Sequence, residues 1–463
     1  MNKRTASHRL AFPCAAGLFL ALAIAVGFSL PGRATAQGIN LIRDAEVEHT
    51  LRVYTTPIFQ AAGLSPTAIR IFIVDNKTLN AFVSGGQNLF IHTGLLMAAK
   101  DPEEVIGVIA HETGHIAGGH LATRTDQLAK TQTSVLASYA LGLGAALATG
   151  QPALGAAVVA GGQDIALKGL LRYTRSQESA ADQSAVSYLN ATHQSPAGLA
   201  DFMEVLSGQE ALLVENQDPY LQSHPLTQDR IAFFRRAVAD SPYAGQPTDP
   251  KLQVLQDRMV AKLSGFLEPK RLVLRRFPKD DQSLPARYAR AIADYRANDL
   301  DAALAGIDQL LAEHPDDPYF HELRGQMLME NARLEEALPS YETAAALLPD
   351  ATTIHLALAQ VQIELDRPEL NDPALKSLES VLREEPHNGL AWRLAATAYS
   401  RLGDEGKMTL ALSEAALANG RYTEAIDRAK RAEEMLGAGS VGGLHAQDVQ
   451  NEATRLLKLK EKE

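Results

Sequence analysis

Residues 111–115 read His-Glu-Thr-Gly-His. On a helix, side chains four apart share a face, so His111 and His115 can offer imidazole nitrogens to one ion. Glu112 is turned about 100° from His111, which puts its carboxylate beside such an ion and not on it. From that position it can take a proton from water that the ion has made acidic. Imidazoles and a neighbouring carboxylate in this order are the groups that metal-assisted hydrolysis needs.

A catalytic zinc has three protein ligands and one open position. One source of the third ligand is a histidine six residues beyond the second. Gly118 fits that longer pattern, but position 121 is Leu. His120 is nine residues from His111, which on a continuous helix is half a turn out of phase, so it is set aside as a ligand. The other source is a glutamate from a later helix, and Ser176-Gln-Glu178-Ser-Ala-Ala-Asp182 supplies one. Glu178 and Asp182 are at i and i+4 and face the same way. Glu178 is the expected third ligand, with Asp182 accepting the second N–H of a ligand histidine and fixing its tautomer. Ser179, Ala180 and Ala181 between them allow this helix to approach the motif helix closely.

The elements that must carry these groups are legible nearby. Pro102 with Glu103 and Glu104 opens a helix whose first turn is acidic, and that helix carries the motif. Leu41–Gln60 reads as an earlier helix. Arg70–Val74, Ala81–Val83 and Asn88–His92 are short apolar runs separated by turn residues, which predicts a small antiparallel sheet. Asn88, Leu89, Phe90 and Ile91 form the strand expected to pair with an extended substrate through backbone hydrogen bonds; His92 is read as a strand residue. Residues 134–163 contain no charged side chain. Gly142, Gly144, Gly150 and Pro152 interrupt them, so a helical hairpin resting on the protein or touching a membrane surface fits better than a spanning helix.

The chain has 463 residues and a formal charge of −11. Its length implies several units, and its charge excludes a nucleic-acid partner, which would require a basic face. Lys3, Arg4 and Arg9, an apolar stretch from Leu10 to Leu30, and Ala34-Thr35-Ala36 read as a secretory signal cut near Ala36–Gln37. The expected location is therefore the periplasm. The one cysteine, Cys14, falls in that signal, so a mature chain would hold metal through histidines and carboxylates alone.

The C-terminal part repeats. Ala303, Ala337 and Ala374 each precede a proline (Pro315, Pro349, Pro386) by twelve residues, and the first two units are 34 residues apart. That is the length of a tetratricopeptide repeat; Asn419-Gly-Arg-Tyr422 suggests a further unit. The expected organisation is a signal peptide (1–36), a metallopeptidase domain (37–240), a linker with a connecting helix (241–283), repeats (284–440) and a C-terminal tail (441–463) with a frayed end. Such repeats stack into an α-solenoid with a concave surface suited to docking protein.

Asn80-Ala-Phe82, Gly85-Gly86, Thr93-Gly-Leu-Leu96, the His111–His115 motif and Glu178-x-x-x-Asp182 together resemble the zinc peptidases of the HtpX and CAAX-prenyl-protease group. The signal and the repeats point to its BepA-type periplasmic branch. The resemblance implies a mainly α, zincin-like metallopeptidase domain with a small antiparallel sheet, binding one Zn2+ per chain and cleaving proteins. It also implies that Ser223-His224-Pro225 brings His224 near the zinc as a removable fourth ligand. Arg230 would position the site or stabilise the oxyanion. The implied partners are outer-membrane β-barrel proteins, misfolded or stalled, and their insertion complex. The rival expectation is a chaperone or assembly scaffold whose zinc site is structural or switched off.

Overall fold

A computed structural model describes residues 40–149, 152–207, 220 and 224–461. The expected signal peptide lies outside the described residues. The N-terminal half comprises β1 (Leu41–Ile42), α1 (Ala45–Ala61), β2 (Arg70–Val74), β3 (Ala81–Ser84), β4 (Asn88–His92), α2 (Thr93–Ala98), α3 (Pro102–Ala117), α4 (His120–Thr149), α5 (Pro152–Ala191), α6 (Ala197–Ser207) and α7 (Gln228–Asp240).

The four strands lie in the order β1-β2-β4-β3. β1 and β3 pair antiparallel with β2 and β4, but β2 and β4 run parallel. The sheet is therefore mixed and not wholly antiparallel as expected. β3 folds back on the outer side of β4, which leaves β4 beside β2 in the same direction. One face, with Ile73, Ala81, Leu89 and Ile91, is buried in a core shared with α1, α3 and α6. The other carries Phe72, Phe90 and Phe82, stacked at 4.8 and 4.9 Å between ring centroids.

Helix α3 starts where its sequence says it should. Asp101 caps it by accepting from the amides of Glu103 and Glu104, and Pro102 holds the first position. Every residue from Val105 to His115 is buried. The helix ends at Gly118, and Gly119 takes φ +61°, a conformation that favours glycine. α4 then sets off in a new direction.

After α7, helix α8 (Pro250–Leu267) is shared by both halves. Met259 and Leu263 belong to the core of the first half, while Ala261 belongs to the first repeat core. Five helix pairs follow, from Leu284 to Lys460, each pair packed against the next. Gly325 illustrates the repeat geometry, since a Cβ there would come within 2.8 Å of the Tyr341 ring. The segment set apart as a tail, 441–463, is mostly the last helix, Val441–Lys460. It buries Ala446, Val449 and Ala453 against Ala425, Ala429 and Ala432, so it closes the array.

A buried ionic cluster joins the halves. Lys262 on α8 is 2% exposed and lies 2.8 Å from Asp44 and 3.5 Å from both Glu46 and Glu322. Arg258 reaches Glu46 at 2.6 Å and pairs with Asp317, and Tyr288 donates to Glu46 at 2.8 Å. A charge this deep is tolerated only when fully paired. Residues 241–283 are therefore a structural wall more than a free linker.

Candidate metal centre

His111 and His115 project from the same face of α3, with their Nε2 atoms 3.1 Å apart. α5 crosses that face where both helices have small residues: a Cβ on Gly114 would lie 2.9 Å from the Ala181 backbone. This close approach brings Glu178 of α5 into place. Glu178 Oε2 is 3.4 Å from His111 Nε2, and Oε1 is 3.5 Å from His115 Nε2. From the segment before α7, His224 Nδ1 comes within 3.1 Å of Glu178 and 3.4 Å of His111 Nε2. The four residues are all buried, and their donor atoms lie within 4.8 Å of one another.

These spacings fit a divalent ion. Ligand atoms about 2.0–2.2 Å from a tetrahedral zinc are about 3.3–3.6 Å apart, and the four contacts with Glu178 and between the rings run from 3.1 to 3.5 Å. The electrostatics point the same way. Burial pulls His111 down, but Asp182 and Glu178 outweigh it and hold it at about 9, so the cavity favours a positive charge. His115 is pushed far down by burial and by His111 and His224, which keeps it in the neutral form that ligates. Burial opposes ionisation of Glu178, yet His224 and His111 hold its carboxyl far below the usual range.

Glu112 lies beside this cluster, fully buried, with Oε1 3.5 Å from His224 Nε2. Among the described residues neither of its oxygens has a hydrogen-bond partner. A buried carboxylate with free lone pairs next to a cation cavity is the arrangement a general base requires. Burial also pushes its pKa up, against the pull of His224 and His111.

Behind the cluster, Asp182 Oδ1 is 2.9 Å from His111 Nδ1, where it would favour a proton on Nδ1 and leave Nε2 to a metal ion. Arg230 grips Asp182 with two bonds, at 2.7 and 2.8 Å, contacts Glu178 at 3.2 Å and donates to the Pro225 carbonyl at 3.0 Å. Its donors thus engage Asp182, Glu178 and the backbone beside His224. Of the two expected roles for Arg230, these bonds fit positioning.

Two expectations are corrected. Asn88, Leu89, Phe90 and Ile91 belong to β4, which pairs with β2 on one side and β3 on the other. Its backbone groups are taken, so no substrate strand can add there. The edge strands are β1 and β3, and it is β3 whose Phe82 and Val83 line the same small cavity as Glu112, His115 and His224. His120 does not face away from the site either. The helix breaks at Gly118–Gly119, and His120 Nδ1 returns to 2.9 Å from His115 Nδ1. The glycine pair is the signal that argued against a continuous helix. Tyr220, whose ring stacks on His224 at 4.7 Å, had no sequence signal at all.

Two histidines one turn apart on a buried helix, a glutamate from a second helix and a partnered carboxylate define a metallopeptidase-type site. Residues 43–238 match Peptidase family M48, and residues 288–352 match a tetratricopeptide repeat. The chain is thus an M48 peptidase domain followed by tetratricopeptide repeats. Over most of its length it is homologous to beta-barrel assembly-enhancing proteases. It is 25% identical to that of Escherichia coli strain K12 over 411 residues, covering 87% of this chain and 82% of the relative. It is likewise 25% identical to that of Yersinia pestis over 389 residues, covering 81% and 76%. The metalloprotease LoiP of E. coli is 27% identical over 202 residues, 43% of this chain and 75% of that protein.

Proposed function

We propose that this chain is a zinc-dependent endopeptidase, exported to the periplasm by residues 1–36, that acts on misfolded or stalled outer-membrane β-barrel proteins. The observation that carries the catalytic part is the convergence of His111, His115, Glu178 and His224 next to the buried Glu112, whose oxygens accept no hydrogen bond among the described residues. One Zn2+ would be held by His111, His115 and Glu178. When bound, the ion would polarise the scissile carbonyl and acidify water. Glu112 takes the proton from the attacking water and passes it to the leaving amine. Asp182 and Arg230 hold His111 and Glu178 in position while this happens.

Substrate lies along β3 in extended form. His92 N–H bonds to the Asn80 carbonyl. Hydrogen-bonded pairs alternate along an antiparallel ladder, so Phe82 and Ser84 also face β4, while the backbone groups of Ala81 and Val83 face outward. These outward groups bind peptide without regard to its side chains, as suits a quality-control protease. The repeats dock the substrate or the insertion complex.

A latent resting state is favoured by one observation. His224 fills the fourth position, and the cavity beside Glu112 has a volume of only about 80 Å3, too small for a peptide segment. His224 must leave before substrate enters. If it never left, the chain would work as a chaperone or scaffold with a structural metal. Metal content and cleavage of an unfolded protein by wild type, Glu112→Gln and His224→Ala distinguish these readings. The peptidase reading requires zinc in all three, cleavage lost in Glu112→Gln, and cleavage retained or raised in His224→Ala. Bound zinc without cleavage in either wild type or His224→Ala would establish the scaffold instead.

A further inference from the structure

Helices α4 and α5, of 30 and 40 residues, pack along each other, and residues 134–149 of the first and 152–163 of the second are uncharged. Among the described side chains of this stretch only Ser138 is buried. Leu136, Tyr139, Leu141 and Leu154 are 69%, 53%, 67% and 44% exposed. A helix pair that is apolar on its outer faces and lacks charge has no stable place in water. Its internal contact is of a kind found inside membranes. A Cβ on Gly162 would lie 2.3 Å from Ser138 Cβ, so the backbones meet over small residues. Tyr139 accepts a hydrogen bond from Gln163 Nε2 at 2.9 Å, which links the two helices.

Charge returns in a collar. Lys130, Lys168 and Arg172 are exposed just below the apolar stretch, with Asp164 paired to Lys168 at 2.7 Å. This cationic collar, on a chain of net charge −11, complements anionic lipid headgroups. Length decides the mode of contact. The uncharged part of α4, from Ser134, is about 24 Å long, and that of α5, to Gln163, about 18 Å. Half of a hydrocarbon core is about 15 Å. No helix among the described residues is long and apolar enough to cross a membrane. We infer that the α4–α5 hairpin inserts into one leaflet of a lipid bilayer, with Lys130, Lys168 and Arg172 at the headgroups.

This has a consequence for the peptidase proposed above. The roots of the same two helices hold His120, the partner of His115, and Glu178. His120 is fourteen residues below Ser134 and Glu178 fifteen below Gln163, about 21 and 22 Å along each leg. Both legs therefore set the metal centre roughly 20 Å from the membrane surface, where it meets polypeptide that protrudes from the bilayer.

The test is flotation of the chain beginning at Gln37, which keeps the compact unit of residues 41–463, with vesicles of phosphatidylethanolamine and phosphatidylglycerol. Wild type should float with the vesicles and remain bound in about 1 M salt, where electrostatic attraction is screened within about 3 Å. Leu136→Glu combined with Leu154→Glu should lower the floated fraction at least tenfold, with zinc content and circular dichroism unchanged. In a second variant, Leu141→Trp, the added indole should be quenched by brominated acyl chains while Trp392 in the repeats is not. Failure to float, flotation abolished by salt alone, flotation indifferent to the two glutamates, or an unquenched indole would overturn insertion. So would a lipid-free dimer dispersed by the same glutamates, since the hairpin would then be covered by a second copy. Loss of peptidase activity in Glu112→Gln leaves flotation intact, so failure of the two proposals can be told apart.

Discussion

The Nδ1 atoms of His115 and His120 lie 2.9 Å apart across the glycine break that ends α3. If His115 ligates through Nε2, its proton is on Nδ1 and the His120 ring accepts it. His111 is oriented in the same way by Asp182, so each ligand histidine has its own partner. Such partners set ring orientation and ligand basicity. His120→Ala should weaken zinc binding roughly 10- to 100-fold, measured by competition with a chromogenic chelator, and leave the melting of the metal-free chain nearly unchanged. Unaltered affinity would mean that His115 is oriented without its neighbour.

Arg230 and Asp182 are both nearly inaccessible and bond in bidentate fashion. Asp182→Ala leaves a buried guanidinium without its main partner, a change that costs about 3–5 kcal/mol. Urea unfolding of the metal-free chain reads this directly. Asp182→Asn keeps an oxygen for the guanidinium and should lose less. A cost below about 1 kcal/mol, the worth of a surface pair, would show that the interaction is not the clamp it is taken to be.

The outward N–H of Val83 is offered to substrate, while the ladder to β4 does not use it. Val83→Pro removes that donor and is compatible with an edge strand. One hydrogen bond is worth about 0.5–1.5 kcal/mol, so kcat/KM for an unfolded protein substrate should fall about two- to twelvefold, with zinc content preserved. Full activity in this variant would place the substrate elsewhere.

The cluster that joins the two halves makes stability depend on pH. Burial pushes Glu322 up, with Lys262 opposing, to about 7 from an ordinary 4.5. The folded chain therefore keeps a proton that the unfolded chain releases over this window. Its contribution is present below about pH 4.5, declines as pH rises and is lost by about pH 7. Glu322→Gln removes the titration, so wild type should lose stability relative to the variant across that window. Melting of both metal-free chains at a series of pH values checks this. Parallel curves would mean that Glu322 ionises normally.

Local spacing made much of the site readable. His111, Glu112 and His115 needed only the helical period, and Glu178 and Asp182 only the same period applied to a second helix. The start of α3 at Pro102, with its acidic first turn, followed from terminus chemistry. The repeats declared themselves because each unit meets the same packing demands and so repeats its alanines and prolines. What failed was whatever depended on direction after a break or on pairing across the sheet. His120 was assigned to the wrong side because half a turn of phase was carried through Gly118–Gly119, where the helix stops. The residues of β4 are strand formers, but strand propensity does not say which strand ends up at the edge.

The sequence by itself singled out His111, His115 and Glu178, which converge at the candidate metal centre, because helical period and ligand type are local properties. Only the tertiary structure decided that Gly114 and Ala181 let two helices meet, that Arg230 bonds to Asp182, and that β3 and not β4 is an edge strand. Those outcomes depend on close packing between segments far apart in the chain, where a single small residue or a reversal of the chain direction changes which atoms come into reach.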